Sequence, residues 1–192
     1  TETTIKEDDW RSRLTSVASI RDEIDQIDND LIDLLKRRMI CSVAMGEAKR
    51  REQPDAADIV FRPGREAVVL AKLIKAGQGV PHSLIYRVWR EIFSASCQVQ
   101  QAFQIGTLAS TREAALLHFG EMGVLRSFDT PEQSLEALAA GKLDMAVLPF
   151  DLNQVWGAKL KALDLFISAS VQALQSKGGL PTEVVVTRHA AD

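Results

Sequence analysis

The 192-residue chain has little of what most cofactor-dependent chemistry needs. It holds two cysteines, Cys41 and Cys97, in no metal-ligand spacing. Its three histidines, His82, His118 and His189, are scattered and unpaired in sequence, which argues against a metal centre. No apolar run approaches the ~20 residues that span a bilayer. The acidic start, Thr1 to Trp10, lacks the apolar core of a signal peptide. With so few thiols these features lead us to expect a reducing, cytoplasmic setting and no membrane partner. A net charge of -3 gives no general attraction to nucleic acid. The distribution of the cations is therefore more informative than their number.

Proline is absent between Trp10 and Arg51, and Gly46 is the one glycine there. Ile20, Ile24, Ile27, Leu31 and Leu34 recur at four-three-four-three spacing, the apolar seam of a coiled-coil-like helix. At ~1.5 Å per residue this helix runs roughly 60 Å, too long to pack only on a small domain's own core. A homodimer is expected, with a second copy covering the seam. After a break containing Pro54 and Asp58, Pro63 opens a second helix from Gly64 to Ala76, closed by Gly77, Gly79 and Pro81. A third is expected from Ser83 to Phe103, with Ile85, Val88, Trp89, Ile92 and Phe93 on its inner stripe.

Beyond residue 103 short apolar runs alternate with helix-like stretches. Strands are expected at 103–108, 124–128, 143–149 and 183–187. Helices are expected at 111–120, at 131–140 behind the N-cap Thr130, and at 163–174. The alternation predicts βαβ units and a partly parallel sheet. The fold class is thus multi-domain, α plus α/β, with domains at 1–103 and 104–192.

Continuing the seam beyond Leu34 lands on Arg38, and Lys49 lies eleven residues further, almost three whole turns. Cations on a buried stripe are costly unless paired. Carboxylates from the other helices could neutralise them, or a small anion could sit between them. On the third helix Val88, Ile92, Ser96 and Gln100 are spaced by four, so a hydroxyl and an amide continue an apolar ridge. That pattern also fits a solvated helix end. Arg65 and Glu66 sit in the first turn of the second helix, where a carboxylate complements the helix dipole and an arginine is commonly a surface charge.

Over roughly residues 14 to 103 the chain resembles the all-helical chorismate mutases. The stretches that carry the likeness are Ile20 to Asp28, Leu31 to Arg38, Met45 to Lys49, Arg65-Glu66, and Trp89 to Ser96 followed by Gln100. The resemblance implies an intertwined dimer of three-helix chains that isomerises chorismate to prephenate without a cofactor, on the way to phenylalanine and tyrosine. It implies that Arg38 and Arg21 clamp the two substrate carboxylates. Arg21 lies 17 residues before Arg38, about 25 Å along the helix, so it would have to reach the partner's site. By the same likeness Lys49 and Gln100 donate to the ether oxygen and Glu66 receives the ring hydroxyl, while Arg65 and Ser96 complete the pocket. One departure is Arg62, three residues before the Arg-Glu pair, where related enzymes often carry aspartate.

Residues 104–192 resemble part of a prephenate dehydratase through Ala114-Ala115, His118-Phe119-Gly120 and Leu138 to Pro149. That family's Glu-Asn pair after the proline is here Phe150-Asp151-Leu152-Asn153, and its Thr-Arg-Phe motif is at best Thr187-Arg188-His189. The expectation is a domain without dehydratase activity. The alternatives to a mutase are an isochorismate-pyruvate lyase, which uses a similar scaffold, and a catalytically dead dimerisation module.

Overall fold

A computed structural model describes residues 14–52, 61–121, 123–150, 156–171 and 182–190. Three helices come first: α1 (Val17–Glu52), α2 (Pro63–Ala76) and α3 (His82–Gln100). They are followed by β1 (Gln104–Thr107), α4 (Arg112–Phe119), β2 (Val124–Ser127), α5 (Pro131–Ala139) and β3 (Met145–Pro149). The short α6 (Gly157–Ala162), β4 (Phe166–Val171) and β5 (Glu183–Thr187) complete the order. The expected break at Pro54 and Asp58 lies outside the described residues.

Two compact units meet between Cys41 and Ser42. The first contains the opening turns of α1. Ser16 and Ser19 start this helix as a reciprocal cap: each accepts the other's backbone N–H, at 3.0 and 3.1 Å. Its polar side carries local pairs, Gln26 to Asp30 at 2.9 Å and Lys36 to Asp33 at 3.0 Å. Its apolar seam is left open: Ile24 is 51% exposed, Leu31 52% and Leu34 56%. Isolated apolar residues on a surface are ordinary, whereas these follow one another along one side of the helix over several turns.

In the second unit α2 begins at Pro63 with Glu66 in its first turn and ends at Gly77, whose N–H bonds the Leu73 carbonyl. A side chain at Gly77 would meet Ile85 Cδ1 at 2.6 Å, so glycine lets the α2 end approach α3. Helix α3 buries Ile85, Arg90, Phe93, Ser94 and Ser96. Val88, expected on its inner stripe, is instead 40% exposed. It lies on the ridge with Ile92 rather than on the one with Ile85 and Phe93.

The sheet has the order β2-β1-β3-β5-β4. Strand β1 is parallel to β2 and β3, while β5 runs antiparallel to β3 and β4. Side chains alternate along β3 and β5, as the pleat requires. Ala146, Leu148, Val184 and Val186 join Leu135, Leu138, Leu143 and Trp156 on one face. Met145, Val147 and Val185 join Phe103, Ile105, Ala115 and Phe119 on the other, with Cys97 of α3 packed against them. The buried Thr111 hydroxyl donates to the Val147 carbonyl at 2.8 Å and accepts the Leu108 N–H at 3.0 Å. Thr130 caps α5 by accepting the Gln133 N–H.

This small mixed sheet after a helical N-terminal part is the arrangement the residue patterns predict. Two elements differ: the six-residue α6 is not among the expected helices, and β4 replaces a helix. The stretch at 163–174, expected to be helical, contains strand β4, and residues 172–174 lie outside the described part. Its apolar alternation is interrupted by a register shift between Ile167 and Ala169, which hides the two-residue period.

Candidate active site

The residues singled out above fall into both compact units. In the first, Arg21 is exposed and Arg38 half-buried on α1. In the second, Lys49 is half-buried near the end of α1, Arg65 is exposed, and Glu66, Ser96 and Gln100 are largely shielded. Lys49, Arg50 and Arg51 form the last turn of α1, where cations complement the helix dipole.

Two contacts bring the end of α1 onto the end of α3. A side chain at Gly46 would stand 3.1 Å from Gln100 Cγ and 3.3 Å from its Cα, closer than nearly all ordinary contacts. Gly46 is the buried residue of α1. One turn on, Arg50 Nη1 donates to the Gln100 carbonyl at 3.3 Å. Lys49 and Gln100 are thus carried on helix ends in direct contact. Gln100 Nε2 donates to the Ser96 carbonyl at 2.8 Å, and the Ser96 hydroxyl donates to the Ile92 carbonyl at 2.6 Å. Both donors of the ridge are turned onto their own helix. Gln100 Oε1 is buried without a hydrogen-bond partner among the described residues.

Glu66 has a partner the sequence did not single out. Arg90 Nη1 donates to Glu66 Oε2 at 2.8 Å, and the two side chains are only 10% and 13% exposed. The Arg90 guanidinium carbon lies 5.0 Å from the Tyr86 ring centroid and 6.0 Å from that of Phe93. The signal for it was present: Arg90 stands one turn after Tyr86 and one before Ser94, a cation on an inner ridge like Arg38. Its partner, 24 residues away on another helix, is set by packing.

His118 faces the same region from α4. Its ring stands 4.8 Å from Phe119 and 6.2 Å from Phe61, and neither nitrogen has a hydrogen-bond partner among the described residues. Burial, then the Arg90 charge, lower its pKa from 6.5 to about 3. The histidine is neutral in the folded chain and accepts a proton in the unfolded chain first. Its contribution is therefore fully present above about pH 6.5 and is lost as pH falls toward 3. Between about pH 7.5 and pH 5 the loss should be on the order of 2 kcal/mol. Urea unfolding at both values tests this: His118→Phe should lose less stability than the unmodified chain, and equal losses would refute it.

Among the described residues no group of three or more histidine, cysteine or acidic side chains could hold a metal ion, and no helix is long and apolar enough to cross a membrane.

Residues 20–101 match the family model described as chorismate mutase type II. The chain is also similar to proteins named bifunctional chorismate mutase/prephenate dehydratase. One from Stutzerimonas stutzeri is 27% identical over 166 residues, covering 83% of this chain and 45% of its own length. One from Pseudomonas aeruginosa is 28% identical over 155 residues, covering 78% and 42%. A T-protein from Enterobacter agglomerans is 34% identical over 85 residues, covering 43% of this chain and 22% of its own length. The chain thus spans less than half the length of these relatives.

Proposed function

We propose that this chain is a chorismate mutase, converting chorismate to prephenate in phenylalanine and tyrosine biosynthesis by a [3,3]-sigmatropic rearrangement. The observation that carries the reading is the closure of the α1 end on the α3 end at Gly46 and Gln100, within the segment that matches the mutase family. Such a rearrangement needs no nucleophile, metal or redox group. It needs the enol-pyruvyl arm held over the ring, and donors aimed at the ether oxygen as its bond to the ring breaks. Lys49 and Gln100 supply those donors, and neither has to exchange a proton. Gln100 must swing from the Ser96 carbonyl to do so, a side-chain rotation at the cost of one neutral hydrogen bond. Arg38 and the partner's Arg21 take the substrate carboxylates, Glu66 takes the ring hydroxyl, and Arg65 and Ser96 line the pocket.

The working form is a homodimer with intertwined α1 helices. The open seam of Ile24, Leu31 and Leu34 supports this, because a second identical seam is the surface that matches it in pattern. The sheet domain is read as part of a prephenate dehydratase-like domain. An alignment covering 83% of the chain cannot be confined to residues 1–103, which supports that reading. We assign the sheet domain no dehydratase activity, since Phe150 to Asn153 and Thr187 to His189 depart from that family's motifs.

Loss of chorismate absorbance on adding the purified protein tests the reading, with the product identified by chromatography. Prephenate accumulating without phenylpyruvate is the expected result. No turnover by a folded dimer would sink the mutase assignment, and phenylpyruvate would sink the statement about the sheet domain.

A further inference from the structure

Arg90 is the buried cation among the described residues, 8% exposed, and it spends that burial on Glu66. Ion pairs withdrawn from water carry a desolvation cost that apolar side chains of the same volume would not. A fold seeking only to join α2 to α3 would be served by a leucine and an isoleucine. The pair makes physical sense where the direction of the carboxylate matters. A guanidinium on one carboxylate oxygen pins the last torsion of Glu66 before any ligand arrives, and the guanidinium is itself held against the Tyr86 and Phe93 rings. The neutral His118 of the sheet domain adds no competing charge beside it.

We propose that Arg90 is a positioning residue of the mutase site, fixing the Glu66 carboxylate toward the ring hydroxyl of the substrate without touching the substrate. The inference rests on the mutase reading. It assigns a role to the third helix beyond Ser96 and Gln100.

The test is steady-state kinetics of the full chain on chorismate for Arg90→Met, Arg90→Lys, Glu66→Gln and the Arg90→Met/Glu66→Gln double variant. Folding is checked by circular dichroism at the assay temperature. Arg90→Met should lower kcat/KM by about 10- to 100-fold, the scale set by misplacing a binding group by about an ångström. KM should rise several-fold, because the hydroxyl is then met by a wandering carboxylate. A merely structural role would reduce the folded fraction, and so the apparent kcat, while leaving KM unchanged. Arg90→Lys should recover part of the loss. In the Glu66→Gln background the Arg90 substitution should cost less than about threefold, because its target is already gone.

If Arg90→Met does not fold, Arg90→Gln, which keeps a hydrogen-bond donor but no charge, carries the test, and a kcat/KM within twofold of the unmodified chain overturns the proposal. Fully multiplicative losses in the double variant overturn it too. Absence of turnover in the unmodified chain overturns the mutase reading and this role with it, whereas normal turnover indifferent to Arg90 overturns this role alone.

Discussion

Alanine in place of Lys49 should lower kcat on chorismate by about 10²- to 10³-fold, the usual cost of deleting one preorganised donor to a developing oxyanion. The size follows from where the charge appears. In the ground state the ether oxygen is a poor acceptor, so the ammonium contributes little to binding and KM should change by less than about tenfold. In the transition state the same oxygen carries growing negative charge, and a cation already in place favours that state over the ground state. Lys49 sits in the closing turn of α1, half-buried, three residues after the glycine that touches Gln100. Arg50 and Arg51 remain to complement the dipole, so the helix end should survive the substitution. Stopped-flow or continuous absorbance assays decide the matter. A Lys49→Ala chain that keeps more than a tenth of the original kcat would remove Lys49 from the chemistry.

If two copies pair through the α1 seam as proposed, arginine in place of Leu31 should leave a monomer and cut turnover by at least about 100-fold. Leu31 occupies the middle of the open seam and is half exposed. In a two-fold assembly each seam residue is used twice, so one substitution places two charges in the apolar interface. Activity should fall with assembly because Arg21 and Arg38 stand roughly 25 Å apart on one helix and cannot serve the same site within a chain. Asp33→Arg, on the polar side of α1 where Asp33 already meets Lys36, is the control that changes charge without touching the seam. Sedimentation equilibrium beside the activity assay gives the answer. An active Leu31→Arg monomer would overturn both the dimer and the role of Arg21.

Much of the fold was legible because the punctuation is strong. Pro63, Gly77 and Pro81 fix the ends of α2 and the start of α3, and Thr130 fixes α5, each through a local backbone requirement. Strand β3 declared itself as a short apolar run beyond Gly141. Strand β4 did not, since the bulge near Ser168 breaks its alternation and it lies at the sheet edge with little burial. Helix α6, six residues long, is too short to show a period. At the site, the spacing of Ser96 and Gln100 could be read from the chain, but not the rotamers that aim both donors at carbonyls of α3. The pairing of Glu66 with Arg90 was hidden for a different reason: it depends on how two helices cross, and no local pattern encodes that.

Gly46 places two demands on one position in opposition. Within a helix of 36 residues, alanine there would raise intrinsic helix stability by roughly 0.5–1 kcal/mol. The added methyl would also have to displace Gln100 by a few tenths of an ångström. Helix stability and the close approach of α1 to Gln100 therefore pull this residue in opposite directions, and glycine favours the approach over the stiffer helix.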